Sequence, residues 1–221
     1  MKKILLLAAV CVWGCLSILS AQKPSDFNIA IAANRMNVLF AGVDNPMTIA
    51  VNNHPFSDLE ISCDPAISLT RTNERGDYIA HVLDAGSGSA KIRARSKKTG
   101  ALMAEYSFRL KRIPDPVAKI QNRTGGSFSA GEMQAQMGII AVLEGFDMEA
   151  RCETVSFTCY YTPVRGQVEE HKQTGGRFAG DVLAAVKRAR VGDQYQFVDI
   201  KARCPGDRVA RSINSIAIMI R

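Results

Sequence analysis

The residues of this chain that could do chemistry are mainly its cysteines. Of six cysteines, four lie beyond residue 21: Cys63, Cys152, Cys159 and Cys204. Thiols of an exported protein can oxidise to disulfides, and four cysteines allow three pairings. The spacing alone leaves these pairings open. A shift in the alternation of apolar residues near positions 153–154 predicts a β-bulge, which would put Cys152 and Cys159 on different faces of one strand.

Other side chains that serve catalysis or metal binding are sparse. The three histidines, His54, His81 and His171, are far apart, and none stands at a metal-ligand spacing from a cysteine. The sequence has no nucleophile elbow, P-loop, dinucleotide fingerprint or metalloprotease helix motif. The glycine-rich stretch GGSFSAG is not followed by a clear helical pattern, so a phosphate-binding loop is not supported. We therefore expect no enzyme activity and no catalytic, cofactor or metal site.

The stretch RIPDPVAKI, residues 112–120, is the most distinctive one in the middle of the chain. Pro114 and Pro116 cannot donate backbone hydrogen bonds, and each holds the preceding residue extended. With Arg112 and Asp115, these prolines form a candidate site whose role is mechanical, a stiff connection between two domains. The alternative is an edge strand with proline breaks inside one large domain.

The residues before this stretch have a β pattern. Segments of alternating apolar residues recur every 8–15 residues between turn signals, as in Met47, Ile49 and Val51 after the turn at Asn45-Pro46. No long run of apolar residues at helical spacing occurs in these residues. This pattern predicts an immunoglobulin-like β-sandwich over residues 22–113, and residues 114–120 form the expected junction.

The second half, residues 121–221, repeats the pattern of strands and adds one helical segment. Val182 and Val186 lie at helical spacing between Asp181, a candidate cap, and Gly192, a candidate stop. The length suits two domains of about 100 residues. The predicted fold is therefore all-β, with two tandem immunoglobulin-like β-sandwich domains and one short helix in the second.

The first 21 residues are typical of a cleavable signal peptide: a basic MKK, an apolar run and a small-residue end at Ala21. This predicts export to the periplasm. A lipid anchor on Cys15, association with the outer membrane and secretion remain alternatives. Without Lys2 and Lys3, 26 basic residues face 21 acidic ones. This mild excess lacks the aromatic-interleaved basic stripe of nucleic-acid-binding proteins, so we expect no nucleic-acid partner.

Three further stretches follow one another along the chain: MNVLFAGVDNPMTIAV, FRLKRIPDPVAKI and GDQYQFVDIKARCPGDRVARSINSIAIMI. In sequence and in order they resemble the C-terminal periplasmic region of the GldM/PorM family of gliding motility and type IX secretion. The resemblance covers residues 30–221. It implies the third and fourth periplasmic domains of that family, which dimerise and have no enzymatic role. The family's closing turn usually reads glycine-proline-aspartate-glycine, whereas this chain has CPGD at residues 204–207.

The resemblance implies a stand-alone exported interaction module that binds envelope proteins, with type IX secretion components and a second copy as candidate partners. The alternative is a secreted or surface β-sandwich that binds a glycan or another ligand, with Tyr160 and Tyr161 as candidate aromatic contacts. Adjacent residues of a strand point to opposite faces, which weakens that alternative. We also predict a disulfide between Cys152 and Cys204, because they flank the strands of the second domain. We expect Cys63 to be a buried small hydrophobe.

Overall fold

A computed structural model of the chain describes residues 28–33, 36–52 and 55–221. The predicted signal peptide with Cys15, and also His54, lie outside the described residues. Within those residues, no helix is long and apolar enough to cross a membrane.

The described chain is built mainly of β-strands, with two short α-helices in its second half. Single 3-10 turns lie at Phe56–Asp58 and Ala85–Ser87. The strands and helices are, in order, β1 Asn28–Ala33, β2 Val38–Phe40, β3 Asn45–Asn52, β4 Leu59–Cys63, β5 Ile67–Arg71, β6 Asp77–Val82, β7 Ser89–Ser96, β8 Leu102–Lys111, β9 Val117–Lys119, β10 Gly125–Phe128, α1 Ala130–Gln134, β11 Ile140–Val142, β12 Glu153–Thr162, β13 Glu169–Thr174, α2 Gly180–Lys187, β14 Gln194–Arg203, β15 Arg211–Ser212 and β16 Ile216–Ile220.

The first domain is a sandwich of two four-stranded sheets. Their strand orders are β1-β3-β6-β5 and β2-β8-β7-β4, with all neighbours antiparallel except β2 and β8. The two-residue alternation of the sequence sends every second side chain inward, as with Met47 and Ile49 in β3 and Ile92 in β7. Both sheets contribute to one core, to which Phe108 and Leu110 of β8 also belong.

The second domain has its own core, built around one large sheet. The sheet runs β10-β16-β14-β12-β13, with β15 paired to β14, and a two-stranded sheet joins β11 and β9. Both helices contribute to the core, which also contains a group of aromatic rings. Phe178 stacks on Phe197 with centroids 5.5 Å apart, and Tyr161 stacks on Tyr195 at 4.9 Å. The predicted all-β fold with sheets packed as sandwiches is confirmed.

The prediction of one short helix was wrong, because the second domain has two. The missed helix, α1, begins with a capping box: Glu132 N–H donates to Ser129 Oγ at 3.2 Å, and Ser129 N–H donates to Glu132 Oε2 at 2.7 Å. The S-x-x-E signature was present in the sequence, but the helix is only five residues long and its helical pattern is too short to recognise.

The predicted helix is α2, and its inward face is the one that the spacing indicated. Val182 and Val186 are buried against the sheet. The expected cap was wrong: Ala179 is the N-cap residue, no side chain caps the helix, and Asp181 lies in its first turn. Gly192, with φ +94°, lies in the turn that follows the helix.

An irregularity in β12 lies close to the predicted bulge. The register between β12 and β14 shifts between Thr154 and Ser156 and again before Thr158. In the same region of β14, Asp199 has φ +50°, a left-handed conformation that is uncommon for a residue other than glycine.

Candidate functional site at the domain junction

The connection between the two domains is shorter than the sequence indicated. Strand β8 ends at Lys111 and β9 begins at Val117. The expected junction over residues 114–120 must be corrected, because Ala118 and Ile120 are fully buried in the core of the second domain. Residues 112–116 make the link. Within it Pro116 is buried, whereas Pro114 is exposed.

Arg211 of β15 holds this link from the second domain. Its guanidinium binds the carboxylate of Asp207 through two hydrogen bonds, Nε to Oδ2 at 2.8 Å and Nη2 to Oδ1 at 2.6 Å. Its remaining nitrogen, Nη1, donates to the carbonyl of Ile113 at 2.7 Å and to Asp115 Oδ1 at 2.8 Å. One side chain therefore joins the connector to a turn that lies about 95 residues further along the chain.

The Arg211–Asp207 pair is buried and remains charged. The two side chains are only 9% and 2% exposed. Burial by itself raises the pKa of Asp207, but hydrogen bonds from Arg211 and from the amide of Cys204 outweigh it and hold that pKa below its usual value. Burial likewise lowers the pKa of Arg211, and the hydrogen bonds to Asp207 and Asp115 raise it above its usual value. Removing either partner would leave the other as an uncompensated buried charge.

A disulfide anchors the turn that carries Asp207. The structure joins Cys152 and Cys204, with Cα atoms 4.1 Å apart and a sequence separation of 52. The amide of Cys204 donates to Asp207 Oδ2 at 2.9 Å, and the amide of Asp207 donates to the carbonyl of Cys204 at 3.1 Å. The turn is thus fixed at its first residue by a covalent bond and at its last by an ion pair.

The other two cysteines of the described chain are free thiols. Cys159 is fully buried in the core of the second domain, and burial raises its pKa to about 12. Cys63 is only half-buried at the margin of the first core, which corrects the expectation that it is buried, and its Sγ donates to the carbonyl of Ile67 at 3.3 Å. Neither thiol has the low pKa of a reactive cysteine.

The backbones of the two domains touch beside the same turn. A Cβ on Gly42 would lie 2.2 Å from the carbonyl carbon of Pro205 and 2.3 Å from the nitrogen of Gly206. A Cβ on Gly206 would lie 2.9 Å from the carbonyl carbon of Ala41. Both glycines have positive φ, +82° and +79°. Only glycine fits this contact, both for its space and for its backbone conformation.

An aromatic contact and a fixed loop complete the junction. Phe40 at the end of β2 meets Phe146 of the second domain edge to face, with ring centroids 5.0 Å apart. The loop that follows Phe40 is held by the buried amide of Asn45. That amide accepts from Phe40 N–H at 2.7 Å and donates to the carbonyls of Phe40, Val43 and Ala80 at 2.9–3.0 Å.

An open cleft lies beside this loop. Its volume is about 450 Å³, and residues of both domains line it: Gly42, Val43, Asp44, Pro46, Met148 and Glu149.

The four residues expected at the junction have unequal parts in it. Asp115 binds Arg211, and Pro116 is buried. Arg112 is 60% exposed, and its Nε lies 3.8 Å from Asp207 Oδ1. Pro114 contributes its backbone restriction only.

Sequence reasoning missed the second-domain half of the junction, although the altered CPGD turn marked its place. The structure brings together parts of the three stretches that carry the family resemblance. The loop after β2, the connector and the closing turn all meet at this junction.

The arrangement joins the two domains through the hydrogen bonds of Arg211 to the connector, the backbone contact at Gly42 and the aromatic contact of Phe40. Among the described residues, no group of three or more histidine, cysteine, aspartate or glutamate side chains could hold a metal ion. Tyr161, a candidate for contact with a glycan, is buried, and its hydroxyl donates to Asp193 at 2.9 Å.

Comparison with protein families identifies both domains. Residues 28–111 match the model of the GldM third domain, and residues 114–221 match that of the GldM C-terminal domain. No curated protein has a matching sequence.

Similar solved structures are chains of several domains. Three N-terminal domains of the bacteriophage RB49 highly immunogenic outer capsid protein share 15% identity at a TM-score of 0.39, over 88% of this chain and 59% of that one. Domains A168–A170 of titin share 10% identity at a TM-score of 0.30, over 87% and 64%. The chain thus spans less than two thirds of either structure. Domains 5–6 of the S-layer protein SbsC share 10% identity at a TM-score of 0.27, over 87% and 97%.

Proposed function

We propose that this chain, which belongs to the GldM family through both of its described domains, is a non-enzymatic exported module that binds envelope proteins. Its GldM domains make it a module related to gliding motility and type IX secretion. The finer claims, binding of envelope proteins and the absence of catalysis, are our proposal. One observation carries it: the third and C-terminal domains follow each other in the family's order and are joined by a dedicated, buried contact.

The junction explains why the two domains would act as one binding module. A partner that contacts both domains loses less affinity when the angle between them is already set. The hydrogen bonds from Arg211 to the connector and the backbone contact at Gly42 restrict that angle. The ion pair with Asp207 and the disulfide at Cys204 hold Arg211 and the closing turn in place within the second domain. Rigid presentation of two surfaces supports a role in holding or coupling other proteins.

We place the module in the periplasm. The GldM C-terminal domains are periplasmic in their parent protein, and residues 1–21 have the composition of a signal peptide. A disulfide at the junction suits an oxidising compartment. Cell fractionation with an antibody against the second domain should find the protein in the periplasmic fraction, shortened by about two kilodaltons if residues 1–21 are removed. Recovery in the cytoplasm at full length would contradict this localisation.

Partner binding is tested by crosslinking in the native cells followed by affinity purification under denaturing conditions. We expect proteins of the type IX secretion apparatus to be enriched relative to an unrelated exported β-sandwich of similar net charge. An Arg211→Ala variant, with a loosened junction, should recover less of the same proteins. If the chain recovers the same set of proteins as the unrelated sandwich, the proposal fails.

We also propose that the module forms homodimers. The support is the match of both domains to the GldM family.

A further inference from the structure

Strand β13 lies at the edge of the large sheet, with β12 on one side and no strand on the other in the described chain. The uniform register between β12 and β13 pairs Thr158 with Lys172 and Tyr160 with Glu170. The amide of Gly175, one residue beyond the strand, donates to the carbonyl of Val155 at 2.7 Å. Because hydrogen bonding alternates along an antiparallel strand, the odd-numbered residues of β13 face β12 with their backbone groups. The backbone groups of Glu170 and Lys172 therefore point away from the sheet.

The side chains of β13 alternate with the same period. Glu169, His171 and Gln173 are half-buried, whereas Glu170, Lys172 and Thr174 are exposed. Glu170 and Lys172 therefore combine two properties: their side chains are in solvent, and their backbone groups are free for a further strand.

The sequence of β13, EEHKQT, is complementary to itself when two copies run antiparallel about His171. That pairing sets Glu170 of one copy opposite Lys172 of the other, and Lys172 opposite Glu170. Within one copy, Lys172 Nζ already lies 3.7 Å from Glu170 Oε1. Pairing would complete a square of four side chains in which every charge has opposite charges beside it and across from it.

The hydrogen-bonding parity agrees with this register. Residues that face each other as a hydrogen-bonded pair must both direct their backbone groups toward the partner strand, as Glu170 and Lys172 do. The central His171 pair is then a non-hydrogen-bonded pair, which is consistent because the backbone groups of His171 face β12. If the register shifted by one residue, backbone groups that face the second copy would lie opposite backbone groups that face β12, and they could not form hydrogen bonds.

A cleft of about 410 Å³ runs between residues 170–173 and residues 179–182 at the start of α2. Val168, just before the strand, is 58% exposed. In the same register it would lie opposite Thr174 of the second copy, which adds an apolar contact to the charged square.

We propose that two copies of this chain associate through β13, antiparallel and in register about His171, to form one continuous sheet across the dimer. A two-fold pairing of this kind is closed, since each copy uses its single free β13 edge. The inference names the surface for the proposed homodimer and does not depend on any envelope partner. The contact is small, so the association belongs to the weak, concentration-dependent class.

Charge reversal tests the register by sedimentation over a concentration series. Glu170→Lys makes all four charges positive in a homodimer, and Lys172→Glu makes all four negative. Each variant should self-associate about tenfold or more weakly than the parent protein, because two cross-strand pairs become repulsive. An equimolar mixture of the two variants should recover association, because a positive strand then meets a negative one.

The mixture separates this proposal from loss of folding and from general charge effects. Glu74→Lys, at an exposed turn of the first domain, makes the same change in net charge and should leave self-association unchanged. Three results would each overturn the proposal: a parent protein that stays monomeric up to millimolar concentration, single reversals without effect, or a mixture no more associated than its components. The second result, with a parent protein that does dimerise, would leave the proposed homodimer intact and move it to another surface.

Discussion

The domain junction and the edge strand β13 both contain charged side chains, but they use them in opposite ways. At the junction, Arg211 and Asp207 are almost fully buried, and each has its partners within the chain. On β13, Lys172 is 81% exposed and Glu170 48% exposed. Buried pairs are costly to break, whereas exposed pairs contribute little until a partner excludes water from them. The charges of the junction therefore stabilise contacts within the chain, whereas the charges of β13 are available to pair with a second strand.

Among the changes at the junction, removing the disulfide should lower the free energy of unfolding most. The loop it closes spans 52 residues, and a crosslink of that length stabilises a fold by about 4 kcal/mol. A double variant, Cys152→Ala with Cys204→Ala, should lower the free energy of unfolding of the second domain by about that amount. Urea unfolding followed by tyrosine fluorescence measures it.

Cys63→Ala serves as the control for the disulfide variant, because Cys63 is a half-buried free thiol of the first domain. It should cost less than about 1.5 kcal/mol. A loss no larger in the double variant than in this control would mean that the disulfide does not hold the closing turn.

Arg211→Ala should cause the second largest loss in the free energy of unfolding. It leaves the buried carboxylate of Asp207 without its bidentate partner and releases the carbonyl of Ile113. Breaking a buried pair in this way costs about 3 kcal/mol. The neighbouring Arg208 is exposed, and Arg208→Ala should change the free energy of unfolding by less than about 0.5 kcal/mol. Equal effects of the two variants would show that the ion pair is not a structural element of the junction.

Much of the fold could be predicted from the sequence because β-sandwich cores repeat with a period of two. Met47 and Ile49 point inward because side chains of a strand alternate between its two faces, and the same period of two is visible in the sequence. The connector was equally visible, since proline restricts the backbone whatever surrounds it. Helix α1 was not, because one capping box and a single turn give no periodic signal.

The second-domain half of the junction could not be predicted for a different reason. Arg211 and Ile113 are 98 residues apart, and nothing in the local sequence of either indicates the other. Gly42 and Gly206 resemble ordinary turn glycines until the two domains are placed together. Long-range contacts of this kind depend on the relative position of two complete domains, which no local pattern encodes.

Gly42→Ala should have the third largest effect, and the chain offers a matched control. A methyl group on Gly42 meets the backbone of Pro205 and Gly206, whereas Gly100, with φ +70°, has nothing within 4 Å of its Cβ position. Both variants carry the strain of alanine at positive φ, about 1 kcal/mol, and only Gly42→Ala adds the clash. We expect a total loss of about 2 kcal/mol at Gly42 and a larger radius of gyration by small-angle scattering. Indistinguishable scattering from the two variants would argue against a tight backbone contact.

Replacing both connector prolines with glycine should have the smallest effect of the four. Pro114→Gly with Pro116→Gly removes the backbone restriction, at about 1 kcal/mol in total, but leaves Arg211, Gly42 and the disulfide in place. The scattering profile should broaden less than that of Arg211→Ala, because the ion pair still ties the connector to the closing turn. Self-association through β13 should stay at the level of the parent protein, since no residue of the connector lies on that edge. If the proline variant loosened the domains more than Arg211→Ala, the angle would be set mainly by the connector, and the buried contacts would only follow it.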